Sequence, residues 1–145
     1  MDFYISIALS DQFKVDQNVF NRYQQGEFGG DIGITLDSKI ADYSDSQLAI
    51  VTEMACIGQS DKVENIAQCR FLTKFHFENT AVLTSGVNTK AIHCIQECIN
   101  LAQAHAYGLF CYHSRKNNVP IVATQIQPFE HLQKAVNAFL NYVKK

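Results

Sequence analysis

The stretch Gln47-Leu48-Ala49-Ile50-Val51-Thr52-Glu53-Met54-Ala55-Cys56-Ile57-Gly58 decides how the chain is built. Leu48, Ile50, Met54 and Cys56 alternate with Ala49, Val51, Ala55 and Ile57, and extended backbone sends successive side chains to opposite faces. The segment therefore reads as an inner strand over 47–58 that is apolar on both faces and needs cover on each. One cover is a helix; the other is a second helix or another copy of the chain.

The neighbouring segments carry the same two-residue period. Before it, residues 31–41 set Ile32, Ile34, Leu36 and Ile40 against Asp31, Thr35, Asp37 and Lys39, and Asp42-Tyr43-Ser44-Asp45-Ser46 turns the chain. After it, Gly58-Gln59-Ser60-Asp61 makes another turn. Residues 65–78 then place Ala67, Cys69, Phe71, Phe75 and Phe77 opposite Gln68, Arg70, Leu72, Lys74 and His76. Residues 2–9 alternate as well, with Phe3, Ile5, Ile7 and Leu9 on one side. Four strands in succession, the later ones joined by short turns, predict a four-stranded antiparallel sheet.

Between the first two strands the period fails. Ser10 to Gly30 is a polar stretch carrying Phe13, Val15, Val19, Phe20, Tyr23 and Phe28, read as a long connection with one helical turn after Asp16 as N-cap. A connection of this length is unusual in a compact domain and is often functional.

Past Asn79 the period becomes helical. Ile92, Ile95, Ile99, Ala102, Ala106, Leu109 and Phe110 mark one long helix over 88–113, beside a stripe of Cys94, Cys98, Leu101 and His105. Asn117-Asn118-Val119-Pro120 ends it, Ile121 to Gln127 reads as extended, and Pro128 opens a shorter C-terminal helix with Leu132, Val136, Phe139, Leu140 and Val143 on its apolar side. Strands followed by helices give an α+β fold, and 145 residues without repeat or linker form a single domain over 1–145.

Composition narrows the function. Hydrophobic residues make up 47% and charged residues 18%, against roughly 25% charged in a typical soluble domain. An under-charged surface points to cover by a partner and to self-association. The net charge of −2 and the absence of a Lys/Arg cluster argue against nucleic acid as partner. No window is apolar enough for membrane insertion, and Met1-Asp2-Phe3-Tyr4 is not the start of a secretory signal, so a cytoplasmic location is expected. Five cysteines in apolar segments read as buried, reduced thiols.

Catalytic and metal signals are weak. His93, Cys94, Glu97 and Cys98 lie within two helical turns and could present two ligands each, with His105, Cys69 or His76 completing a metal site. Buried thiols explain the same pattern more simply. Cys111 with His113, or Cys69 with His76, makes a nucleophile pair on paper, but these cysteines sit among Phe, Leu and Ile rather than beside a cation. Gly26, Gly29 and Gly30 precede a strand, not a helix N-terminus that would receive a phosphate. The expectation is a protein that is not an enzyme and uses no metal or cofactor.

Two motifs resemble the SecB family of protein-export chaperones. Val19-Phe20-Asn21 is similar to the family's Val-Phe-Gln where the chain leaves strand one. Val119-Pro120-Ile121-Val122-Ala123-Thr124-Gln125-Ile126-Gln127-Pro128-Phe129-Glu130-His131-Leu132 resembles its proline-led apolar stretch ending in Asn-Phe-Asp-x-Leu. The layout is similar throughout, while the motifs cover about 20 residues. Asp16-Gln17-Asn18 replaces the family's prolines, Lys74-Phe75-His76-Phe77 stands where a Gly-Ile-Phe is common, and Cys69 or Gln68 stands near the acidic residue of its SecA docking surface. The resemblance is thus to a divergent SecB-like protein.

It implies a dimer of dimers that holds non-native polypeptide without ATP in apolar grooves between the strand-one crossover and the C-terminal helix, with the SecA motor or, as in SecB-like chaperones of antitoxins, other clients as partners. The expected peptide-binding residues are Phe13, Phe20, Tyr23, Phe28, Phe129 and Leu132. The alternatives are a structural or regulatory SecB-like oligomer and a Cys/His metal protein.

Overall fold

The computed structural model describes residues 3–44, 47–77 and 89–120. In order they form β1 (Phe3–Val15), α1 (Gln17–Gln24), β2 (Ile32–Ser44), β3 (Gln47–Gln59), β4 (Val63–Phe77) and α2 (Thr89–Lys116). The α+β reading holds: the described strands make one antiparallel sheet in the order β1-β4-β3-β2, and α2 lies across one face. The C-terminal helix and the extended segment expected from the sequence over 121–145 lie outside the described residues.

β3 is the inner strand that its two-sided apolar pattern requires. Its α2 side consists of Leu48, Ile50, Thr52, Met54 and Cys56, none more than 2% exposed. Register sets Phe75, Thr73, Phe71, Cys69 and Ala67 of β4 beside them. α2 answers with Ile95, Cys98, Ile99, Ala102, Ala106 and Phe110, all buried and spaced three or four apart. At its end Asn118 adopts φ 58°, the Val119 N–H donates to the Ser114 carbonyl at 2.8 Å, and the Asn118 N–H donates to Arg115. This left-handed cap satisfies the last carbonyls and tucks Val119 into the core.

β1 is longer than the 2–9 expected from its alternation, and the reason is two register shifts against β4, between Leu9 and Asp11 and between Asp11 and Lys14. Each inserts one extra residue and breaks the sequence pattern; together they restore the original parity, so Val15 again pairs with Ala67 on the α2 side. The expected connection over 10–30 therefore begins only at Asp16.

A polar row divides the core. Ser38 and Thr52, opposite each other on β2 and β3, share a hydrogen bond of 2.9 Å, and the Gln103 amide of α2 donates to the Ser38 hydroxyl at 3.3 Å. All three are buried. On one side lies the cluster of Leu48, Ile50, Phe75, Ile95 and Ile99; on the other lies that of Met54, Cys56, Phe71, Phe110 and the crossover residues Val19, Phe20 and Phe28. Thr52→Val should lower stability by about 1–2 kcal/mol in urea unfolding. Ser38→Ala combined with it should cost less than the sum of the single changes, because both remove one hydrogen bond.

Candidate functional site

Among the described strands β1 and β2 stand at opposite ends of the order, so the chain leaving β1 must pass two intervening strands, roughly 14 Å at strand spacing. Residues 16–31 make that crossing along one end of the sheet. Asp16 is the N-cap of α1, its carboxylate accepting from the N–H groups of Asn18 and Val19 at 3.1 and 3.2 Å, as its position in the sequence suggests. The Asp16 N–H donates to the Ile66 carbonyl of β4. The helix runs for eight residues rather than a single turn, because Val19, Phe20 and Tyr23, spaced three and four apart, give it an apolar side to lay on the sheet.

After α1 a run of turns, closed by hydrogen bonds from Gly26 to Tyr23 and from Gly29 to Gly26, carries the chain to β2 with Gly26 and Gly29 at positive φ. The Phe28 ring falls between them and the sheet, directly over Gly58 of β3. A Cβ at Gly58 would lie 2.6 Å from the Phe28 ring, so only glycine permits this contact. Arg22 lies over the outer face of the ring, 5.5 Å from its centroid, and pairs with Glu64 of β4 at 2.5 Å and with Glu27 at 3.2 Å. These pairs hold the Arg22 guanidinium above its ordinary pKa, chiefly through the hydrogen bond to Glu64.

The expected peptide-binding residues divide by position. Phe20 and Phe28 are buried, 8% and 4% exposed, and cap the core. Phe13 and Tyr23 are half-buried on the margin of the same cluster, together with Val15, Tyr107 and Leu109. Phe13 lies 5.5 Å from Phe110 and stacks on His113 at 5.8 Å; Tyr112, 56% exposed, meets His113 edge-on at 5.3 Å. Phe129 and Leu132 lie outside the described residues. Beside α1 a cleft of about 450 Å³ opens between the end of β1 and the start of β4, with Val19 and Ala67 in its lining and Lys14, Glu64 and Gln68 around it.

Sequence reasoning does not reach Tyr107 or Tyr112, and it considers His113 only as a partner for Cys111. Helical spacing marks only the core side of the long helix, and nothing in the sequence links the aromatic residues near its C-terminal end to the crossover. Their spacing to Phe110 was the available signal, since it sets His113 one turn past the core row.

The catalytic and metal constellations separate in space. Cys69 and His76 lie on opposite faces of β4, against Met54 and Gln47 of β3 respectively. Cys111 and His113, two apart on α2, point away from each other. Among the described residues no group of three or more His, Cys, Asp or Glu side chains converges as a metal site. Burial pushes the Cys56 and Cys69 thiols up to about 11 and about 12.

The face of the sheet away from α2 is mixed. Ala49 and Ala55 are buried and Val51 and Leu72 half-buried, while Glu53 bridges Arg70 at 3.0 Å and Lys39 at 3.7 Å across three strands. No helix among the described residues is long and apolar enough to cross a membrane.

No protein-family model matches the chain, and no curated protein matches it. Among the solved structures to which it is similar, two illustrate the low identity. One is a SecB-like chaperone of Mycobacterium tuberculosis in complex with a ChAD peptide from the HigA1 antitoxin: 14% identity, 87% of this chain and 91% of that one, TM-score 0.40. The other is a Streptococcus agalactiae protein of unknown function: 8% identity, 87% and 98% of the two chains, TM-score 0.31.

Gly58→Ala should drive the Phe28 ring off β3 and cost about 1–3 kcal/mol. Thermal melts should show the loss, and Phe28→Leu combined with it should recover part of it by clearing space.

Proposed function

We propose that the protein is a SecB-like holdase that binds non-native polypeptide without ATP and catalyses no reaction. The observation that carries this reading is the aromatic margin of the crossover. Phe13, Tyr23, Tyr107 and Leu109 rest on the buried cluster but keep part of their surface open, and Phe13 continues through His113 to the exposed Tyr112. An extended client with apolar side chains would cover that surface, gaining about 25 cal/mol per Å² buried without sequence-specific contacts. The motif of Phe129 and Leu132, similar to that of the SecB family, supports the same reading at the level of sequence. Self-association as a dimer or dimer of dimers belongs to this reading, supported by the low charge content and the half-buried Val51 and Leu72 of the open face.

Phe20 and Phe28 enter differently from Phe13 and Tyr23. Being buried, they hold the crossover in place, and a charge at either would unfold the end of the sheet rather than repel a client. The test therefore uses the margin. A refolding client diluted from denaturant should aggregate less, by light scattering, in the presence of the protein. Tyr112→Asp and Tyr23→Asp should each raise the concentration needed for half protection by roughly fivefold to tenfold. Tyr112→Asp should leave the melting temperature within a few degrees, since its ring is mostly exposed. No protection by the wild-type protein at stoichiometric excess sinks the reading.

A further inference from the structure

The face of the sheet away from α2 takes no part in the crossover margin. Register joins Val51 of β3 to Leu72 of β4 there, and both are half-buried. The next row of the same face sets Glu53 beside Arg70, bridged at 3.0 Å. Their side chains stay open to water, 40% and 46% exposed. The contacts of Glu53 with Arg70 and with Lys39 both fall on its Oε1. A carboxylate accepts on two oxygens and a guanidinium donates through several N–H groups, so each can take a second partner without leaving the first.

We propose that this face docks a second copy of the same chain, sheet on sheet, about a two-fold axis that runs along the strands between β3 and β4. Such an axis exchanges the two strands. Leu72 of each copy then meets Val51 of the other, and Arg70 of each meets Glu53 of the other, so both the apolar row and the charged row complement themselves. That is the pattern of an isologous interface, in which one patch serves both partners. The second axis available to two stacked faces runs across the strands, through Val51 and Leu72. It would set Arg70 against Lys74, which lies as far from Leu72 in the other direction. Like charges reject that arrangement, and the charge pattern selects the first.

Size sets the strength. Four strands by the length from Gln68 to Lys74 cover roughly 500 Å² per copy at ordinary strand spacing and rise. Stacking two such faces buries about 1,000 Å², the lower limit for a specific interface. The twist of each sheet also parts the corners, so the match is confined to the two inner strands, and Asp37 on β2 lies beyond it. The pairing is therefore a reversible dimer that dissociates at micromolar concentration. The proposal rests on the self-association named above and gives it a surface; client binding at the crossover margin is a separate matter.

Sedimentation of the full-length protein over roughly 1–200 µM tests this. The wild-type mass should double with rising concentration, and raising NaCl from about 0.05 to 0.5 M should move the midpoint up roughly threefold to tenfold. Glu53→Arg and Arg70→Glu should each raise the midpoint at least about tenfold, since each sets like charges across the axis. Mixed together, the two variants should assemble with each other, because each supplies the charge that the other lacks. The proposal is overturned if the wild type keeps the mass of one chain throughout, if its assembly ignores salt, or if the folded single variants assemble as the wild type does. In the last two cases self-association survives through another surface, and in the first it falls together with this interface; light-scattering protection of a client reads neither. The salt series on the wild type decides even if a variant fails to fold.

Discussion

The contact between α2 and the middle of the sheet is the constraint on which the rest depends. β3 has a strand on each side, so its α2-facing residues can leave water only by being roofed. A single helix of 28 residues does this along nearly the whole strand. Apolar burial alone would tolerate several placements of that helix, since Leu48, Ile50, Met54 and Cys56 offer similar surfaces. The row of Ser38, Thr52 and Gln103 does not: its hydroxyls and amide are satisfied only when β2, β3 and α2 meet in one alignment. A slip of one residue between β2 and β3 would send Thr52 to the open face and leave the Ser38 hydroxyl facing an apolar partner. The polar row sets the register, and the clusters on either side supply the driving force.

The crossover follows from topology. Because β1 and β2 stand at opposite ends of the described strand order, the chain between them must traverse the end of the sheet, and that end is apolar: Ile66, Ala67 and Cys56 would otherwise face water. Phe20 and Phe28 cover it, Gly58 makes room, and Arg22 ties the outer side down through Glu64 and Glu27. The element that completes the core is thus also the one that carries half-buried rings at its margin. Half-buried margin and core are continuous here, which is why residue type alone does not distinguish Phe20 from Tyr23.

Much of the sheet was legible because a strand with one buried face writes its period directly into the sequence. The limits expected for the segments 31–41, 47–58 and 65–78 fall within three residues of β2, β3 and β4, and the long helix was found with its end at Asn117-Asn118. β1 was cut at its first irregularity because a bulge looks, in sequence, like the end of a strand. Two bulges that cancel leave Phe13 and Val15 in phase with Ile5 and Ile7, a relation visible only through pairing with β4. The helix α1 was underestimated since eight residues with two buried side chains lack a long periodic signature; its stability comes from packing on β4 and from the Asp16 cap. The site was less legible still, because the contact of Phe13 with His113 joins residues a hundred positions apart.

Among the described residues, the face of the sheet away from α2 shows how an apolar strand is partly hidden without a second roof. Ala49 and Ala55 present little surface, and each lies beside longer residues on the neighbouring strands, Lys74 and Gln68 by register. Glu53 gathers Lys39 and Arg70 over the same region. Small apolar residues flanked by long polar or charged ones lose water contact through the stems of their neighbours while the polar ends stay hydrated. This leaves Val51 and Leu72, paired across β3 and β4, as the main apolar surface there. The two faces are therefore built to different ends: the α2 side buries nearly everything it presents, and the open side keeps a narrow apolar strip inside a charged frame. A surface that met the open face would have to match that frame, whereas the crossover margin presents mostly rings and asks only for apolar area.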